Sequence, residues 1–119
     1  MKISAAKYLL LPFFAGLFIT AQAKQVPPPP DPPRLVVDFT NIMRRTEVDA
    51  LEKKLVAYDD STSTQIAIVI EQTLSGDDIF DYSYRLAEAW GIGRKGKNNG
   101  ILIYVALADH KLRIQTGYG

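Results

Sequence analysis

The acidic residues that could take part in chemistry follow separate apolar segments of the chain. Asp38 follows the first such segment, Asp77 and Asp78 follow the second, and Asp109 follows the third. Carboxylates that converge from several segments make the oxygen-rich site that Ca²⁺ and Mg²⁺ prefer. We therefore predict a divalent-cation site at these four residues, with Ca²⁺ or Mg²⁺ as the cofactor.

Two neighbouring residues extend this hypothesis, and a simpler interpretation competes with it. Glu71 and Gln72 end the second apolar segment and could add oxygens. Against the site, Asp77 and Asp78 are residue types that cap a helix, and Asp109 is typical of a turn. The chain has no dense acidic loop of the EF-hand type, so spacing alone leaves both interpretations open.

A glycine- and lysine-rich loop is the second candidate site. It runs from Gly91 to Gly100 and holds four glycines and three cations. Its spacing approaches that of a phosphate-binding P-loop, but such a loop follows a strand and opens a helix. This loop follows a helical pattern and opens a strand, so the alternatives are a solvated loop and a partner- or anion-binding surface. The residues assigned to that surface are Arg94, Lys95, Lys97, Asn99 and Tyr118.

Other kinds of catalysis find little support in the residue types. The chain has no cysteine and a single histidine, His110, which excludes thiolate nucleophiles, disulfides and a two-histidine zinc site. His110 lies in a predicted turn without a positioned nucleophile, which is more typical of an exposed side chain than of a catalytic base. A carboxylate nucleophile or base is chemically possible, with Asp38 as the candidate.

Charge and composition exclude two classes of protein. Lys and Arg number 14 and Asp and Glu number 13, for a formal net charge of +1. This balance lacks the excess of basic residues that is typical of nucleic-acid-binding proteins. A hydrophobic content of 47% is ordinary for a globular domain and excludes a wholly disordered chain.

The pattern of apolar residues predicts strands and helices in alternation along the chain. These elements must position the candidate residues. The apolar runs at residues 66–70 and 101–105 are typical of strands buried on both faces of a parallel sheet. A helix capped by Thr46, with Asp49 close to a capping box, precedes the first run and gives way to a polar break at residues 59–63. A second helix opens at residues 75–78 and ends at the glycines that follow Trp90.

The order of these elements predicts an α/β fold. Strand, helix and strand form a βαβ unit with parallel strands. Apolar and polar residues alternate over residues 112–116, which predicts an antiparallel strand with one face exposed to solvent. We expect a small mixed β-sheet flanked by helices, an α/β/α sandwich that this chain leaves incomplete. The carboxyl ends of the parallel strands, here called the top edge, are where such sheets bind ligands, and the predicted carboxylates all belong to segments at that edge.

The N-terminal residues predict export. Residues 1–23 combine Lys2 and Lys7 with an apolar run and the small-residue pattern Ala21-Gln22-Ala23, as a cleaved signal peptide does. Residues 24–34 form a proline-rich linker, for which a spacer is favoured over a ligand for a proline-binding module. We expect residues 35–119 to fold as one domain in the periplasm or cell envelope, without a transmembrane helix in the mature chain.

Four motifs stand in a fixed order along residues 35–119 and carry a family resemblance. In this order they resemble the TPM domain family, which is found in bacterial envelopes and thylakoid lumens. The family usually continues past the last motif with an acidic residue and further helices, so the resemblance implies that the C-terminal part is missing. It often has Asp where Asn99 stands. The motifs are Val37-Asp38-Phe39, then Gln65-Ile66-Ala67-Ile68-Val69-Ile70, then Ala89-Trp90-Gly91-Ile92-Gly93 with Lys95-Gly96-Lys97-Asn98-Asn99-Gly100, and Arg113-Ile114 leading to Gly117-Tyr118-Gly119.

The resemblance implies two functions of different kinds. Some relatives resemble divalent-cation binders, which implies cation binding at Asp38, Asp78 and Asp109, and phosphatase activity has been attributed to some. Others act as non-enzymatic partners of membrane complexes. We favour an exported module that binds a divalent cation and a protein partner, such as an envelope or membrane complex; the alternative is a weak cation-dependent acid phosphatase.

Overall fold

The computed structural model describes residues 23–93 and 99–116. Nearly all of the predicted signal peptide therefore lies outside the described residues, as do Arg94, Lys95, Lys97 and Tyr118 of the predicted binding loop. Six elements follow one another along the chain: β1 (Val36–Asp38), α1 (Arg45–Thr62), β2 (Thr64–Glu71), α2 (Ile79–Ala89), β3 (Asn99–Ala106) and β4 (Lys111–Thr116).

The four strands form one sheet in the order β1-β2-β3-β4. β1 and β3 both run parallel to β2, and β4 returns antiparallel beside β3. The described elements thus confirm the predicted α/β class, with a mixed sheet, two helical crossovers and a terminal antiparallel strand. The continuous apolar patterns of β2 and β3 correctly indicated adjacent parallel strands.

One face of the sheet carries the hydrophobic core. Ala67 and Val69 of β2 and Leu102 and Tyr104 of β3 are buried there beneath the apolar side of α2. Full burial of a side chain the size of Leu86, at 0% exposure, stabilises a fold by about 1.5–3 kcal/mol. The α2 residues in this core are Tyr82, Leu86 and Ala87.

The opposite face is open at β3 and β4. Ile103 and Val105 of β3 pair with Ile114 and Leu112 of β4, and the last two side chains are 55% and 60% exposed. Within the described residues, α1 contacts only β1 and β2. α2 packs on the other side, where the Arg113 guanidinium lies 4.4 Å from the centre of the Phe80 ring.

This arrangement decides which side of β4 meets solvent. The alternation predicted for β4 is present, but its apolar side chains are the exposed ones, while Arg113 and Gln115 are half-buried. The physical reason is that α2 lies against the side that carries Arg113, whereas no described helix covers the side that carries Leu112 and Ile114.

The bounds of α1 differ from those predicted. The helix begins at Arg45, and the carboxylate that accepts from its N-cap is Glu47, 2.8 Å from the Arg44 nitrogen. The helix also runs through the predicted polar break, because the Thr62 hydroxyl donates to the Tyr58 carbonyl at 2.7 Å and a side chain of this kind is satisfied within a helix. It ends at Thr62, and Ser63 is its C-cap with a φ of 63°.

Candidate functional site

Asp38 ends β1 at the top edge and organises the loop that leads to α1. Its Oδ1 accepts from the Thr40 nitrogen at 2.9 Å and from the Thr40 hydroxyl at 2.6 Å, and its Oδ2 accepts from the Met43 nitrogen at 2.9 Å. Partial burial raises the pKa of Asp38, but these hydrogen bonds together outweigh it and hold the pKa below its usual range. The carboxylate is therefore a weak base that is already satisfied by its own loop.

Acid should remove the contribution of Asp38 to stability. A carboxyl whose folded pKa is lowered stabilises the fold above its unfolded pKa, about 3.9, and loses that contribution as the pH falls through the folded pKa. We expect Asp38→Asn to reduce the free energy of unfolding by about 1–2 kcal/mol at neutral pH. The difference from the unsubstituted chain should shrink below about pH 4. Urea denaturation across this range measures it, and a difference that grows in acid would contradict the assignment.

Asp109 joins the loops that follow β2 and β3. It accepts from the Thr73 hydroxyl at 3.2 and 3.3 Å and from the Leu74 nitrogen at 2.7 Å. The predicted turn is present, with His110 at a φ of 53° and exposed to solvent. Both carboxylate oxygens of Asp109 thus accept hydrogen bonds from the loop that follows β2 at the same top edge.

Asp77 and Asp78 have different partners although they are adjacent. Asp78 is the N-cap of α2, and its Oδ2 accepts from the Asp81 nitrogen at 2.9 Å. Asp77 accepts from the backbone nitrogen of Lys24 at 3.0 Å and forms a close ion pair with Arg85. Partial burial raises the pKa of Asp77, but its hydrogen bonds and the charge of Arg85 outweigh it, so the net pKa is lowered.

Glu71 is the buried carboxylate at the centre of this region. Its Oε1 accepts from the Tyr82 hydroxyl at 2.7 Å and the Tyr104 hydroxyl at 2.9 Å, and lies 3.2 Å from the Lys24 ammonium. The two tyrosine rings meet edge to face, with centroids 5.3 Å apart. Burial raises the pKa of both hydroxyls and the bonds to Glu71 raise it further, so both tyrosines act as donors.

Lys24 is the functional candidate that the sequence did not indicate. Its ammonium donates to the Thr73 carbonyl and lies 5.2 Å from the centre of the Tyr82 ring. Oxygens of Glu71, Thr73 and Asp77 therefore surround a single residue of the N-terminal segment. The one sequence signal was positional: Lys24 is the first residue after the predicted cleavage site.

The structure brings some of the predicted carboxylates near one another but does not make a single cage of them. Asp77 and Asp78 are joined by a hydrogen bond of 2.7 Å from the Asp78 nitrogen, and Asp109 is linked to Lys24 through Thr73. Across residues 23–93 and 99–116, no group of three or more His, Asp or Glu side chains is arranged to hold a metal ion. Cation binding stays a prediction.

The opposite end of the sheet, where the predicted binding loop lies, is described only at its margins. Asn99 is exposed at the start of β3. The Gly93 nitrogen donates to the Gln65 side chain at 2.9 Å, and Gly93 lies against Gly100 backbone to backbone. The loop's flanks are thus closely packed, and the binding role of its cations stays a prediction.

The proline-rich segment lies against the domain beside a cleft of about 840 Å³. The Trp90 indole nitrogen donates to the Pro27 carbonyl at 2.8 Å, and Val26 packs on the core. The cleft opens between this segment, α1 and the end of α2, and its lining includes Leu35 and Val56. None of the four predicted aspartates lines it.

A helix able to cross a membrane was not found among the described residues.

The chain matches known proteins in two comparisons. The family model of the TPM domain matches residues 36–119. The solution NMR structure of the N-terminal domain of a protein from P. gingivalis is similar, with 29% sequence identity and a TM-score of 0.65. That match covers 72% of this chain and 55% of the other, so this chain spans little more than half of that relative. A search of curated proteins gives no match.

Proposed function

The chain belongs to the TPM domain family, and from that membership we propose that it is an exported binding module of the cell envelope. It binds a protein partner through the open face of β3 and β4, and a divalent cation at the top edge. The observation that supports partner binding is the exposure of Leu112 and Ile114 on that face, at 60% and 55%.

The chemistry of the open face defines the kind of partner. Its central side chains from β3 and β4 are all aliphatic: Ile101, Ile103, Val105, Leu112 and Ile114. Parallel strands are normally buried on both faces, and an aliphatic sheet face is most often covered by the apolar side of a helix. We therefore propose an amphipathic helix of an envelope protein as the occupant.

Photocrosslinking in intact cells tests this proposal. A photoreactive residue at Ile114 should give one adduct with an envelope protein, through an apolar segment of that protein identified by mass spectrometry. Adding Leu112→Ser should lower the adduct yield about tenfold, as removal of a central interface side chain does. Because Leu112 is mostly exposed, the same substitution should change the free energy of unfolding by less than about 1 kcal/mol.

The matched control places the probe at Ile42, which is 62% exposed in the loop before α1. It should give no such adduct. Equal adducts from both positions would contradict the proposed face. An adduct with a second copy of the chain, or with a helix of the same polypeptide, would replace the proposed occupant.

Cation binding is supported by the convergence of oxygens on Lys24. A carboxylate oxygen of Glu71 and the Thr73 carbonyl contact the Lys24 ammonium, whereas a carboxylate oxygen of Asp77 contacts the Lys24 backbone nitrogen. Hard cations prefer ligands of this kind. A divalent ion at this point of the top edge would compete with the Lys24 ammonium, so its binding would weaken the N-terminal contacts.

The phosphatase alternative has less support from the site. The candidate base or nucleophile, Asp38, accepts three hydrogen bonds from its own loop, and its lowered pKa makes it a poor acceptor of a proton. Assays with a phosphate monoester and Mg²⁺ or Ca²⁺ address this directly. Phosphate release that is lost in Asp38→Asn would favour the enzyme over the module.

A further inference from the structure

Lys24 is held at both its backbone and its side chain. Its backbone nitrogen donates to Asp77 Oδ2 at 3.0 Å, and its carbonyl accepts from Arg85 Nη1 at 3.0 Å. Its ammonium lies 3.2 Å from Glu71 Oε1 and donates to the Thr73 carbonyl. The residue before it, Ala23, is exposed. Within the described residues, the Lys24 backbone nitrogen is therefore the first atom of this segment that is bound to the domain.

That nitrogen is the atom that signal-peptide cleavage would change. Cleavage after Ala23 would turn the Lys24 amide into a free α-ammonium, with three donor hydrogens and a positive charge in place of one neutral donor. The present bond to the Asp77 carboxylate is charge-assisted through its acceptor alone, and an ionised donor would add the attraction between two opposite charges. The side chain of Asp77 is 11% exposed, so solvent would screen this ion pair less than one on an open surface.

The local charges are complementary to one additional cation. The carboxylates of Glu71, Asp77 and Asp81 face two cationic side chains, Lys24 and Arg85. These five side chains therefore have a formal net charge of −1 while the Lys24 backbone nitrogen is an amide. An α-ammonium at that nitrogen would balance it without any movement of the surrounding side chains.

We propose that Asp77 is a receptor for the α-ammonium of the mature N-terminus, and that Glu71 and the Thr73 carbonyl receive the ε-ammonium of the same lysine. Cleavage after Ala23 then converts a hydrogen bond between an amide and a carboxylate into an ion pair, which holds the new N-terminus on α2 and the top edge. The ligand of this site is an N-terminal lysine. The inference rests on the export that forms part of the proposed function.

The test uses the full 119-residue chain, exported by a bacterial host and purified from the periplasm. Mass spectrometry should find Lys24 as the new first residue. The matched control carries one glycine inserted between Ala23 and Lys24, which moves the α-amine about 3.8 Å away along the chain and leaves an amide at Lys24. Both proteins are treated with an amine-reactive acetylating reagent, and the modification rate of each α-amine is read by mass spectrometry.

We expect the α-amine of Lys24 to react about tenfold more slowly than that of the inserted glycine, since an ion-paired ammonium is shielded from the reagent. The midpoint of thermal unfolding should also be higher by about 4 °C in the protein that begins at Lys24. Asp77→Asn, introduced into both proteins, should abolish the difference in reaction rate even if it lowers the stability of both.

The outcomes separate this inference from the export proposal. Cleavage after Ala23 followed by equal reaction rates would overturn the N-terminal receptor and leave export intact. A chain that is not exported and keeps its signal peptide would overturn both, whereas export with cleavage at another bond would overturn only the receptor. A rate difference that persists in Asp77→Asn would remove Asp77 from the role of receptor.

Discussion

Replacing Gly100 with alanine is expected to cost about 3 kcal/mol or more of the free energy of unfolding. A Cβ at this position would lie 2.5 Å from the Gly93 Cα, 2.6 Å from the Gly93 nitrogen and 2.7 Å from the Ile92 carbonyl. All three atoms belong to backbone, so no side-chain rotamer can relieve the contact. The loss should appear in urea denaturation and as weaker circular dichroism in the near ultraviolet.

Gly76→Ala is the matched control. Gly76 has a φ of +84° and no atom within 4 Å of an added Cβ, so the substitution tests backbone conformation alone. Its cost should be about 1–2 kcal/mol. If Gly100→Ala costs no more than this control, the close approach of Gly93 and Gly100 is not what holds the start of β3.

Replacing Glu71 with leucine is expected to lower the free energy of unfolding by about 3–5 kcal/mol, the usual result of removing one partner of a buried charged group. The Tyr82 and Tyr104 hydroxyls would both lose their acceptor, and the Lys24 ammonium would lose a carboxylate. A buried hydroxyl without a partner is itself unfavourable. Urea denaturation followed by tyrosine absorbance reports both the stability and the hydroxyl environment.

Two controls distinguish loss of the hydrogen bonds to Glu71 from a nonspecific effect of a substitution at the end of β2. Glu71→Gln keeps an oxygen that can accept from the tyrosines and should cost about 1–2 kcal/mol. Gln72→Leu changes the adjacent, exposed residue and should stay within about 0.5 kcal/mol. If Glu71→Leu were as mild as Gln72→Leu, the hydroxyl network would contribute nothing measurable to stability.

The fold could be predicted because its signals are local and repeated. The apolar runs of β2 and β3, separated by one helix, allowed few arrangements other than adjacent parallel strands. The glycines after α2 and the acidic cap at Asp78 then fixed the ends of that helix. The exposed side of β4 was not predictable in the same way, because alternation shows that a strand has two faces but not which face a neighbouring helix covers.

The sequence offered Glu71 as an additional oxygen ligand, but its partners were missed for a different reason. Tyr82 and Tyr104 occupy apolar positions of a helix and a strand, where their rings alone explain their presence. That both hydroxyls converge on Glu71 depends on the register of β2 with β3 and the rotation of α2, which spacing along one chain does not encode. Lys24 lay in a segment that its proline content assigned to a spacer, so its contacts with residues about fifty positions away could not be anticipated.

The two edges of the open sheet differ in length and charge, and this bears on how the molecules behave at high concentration. β1 contributes only three residues, too few to template a long ladder with another chain. β4 is longer but carries Lys111 and Arg113, and cationic side chains on an edge strand discourage strand-to-strand association. Among the described strands, an aliphatic sheet face can therefore be present without leading to fibre growth, because copies that approach edge to edge meet either a three-residue strand or a strand that carries two cations.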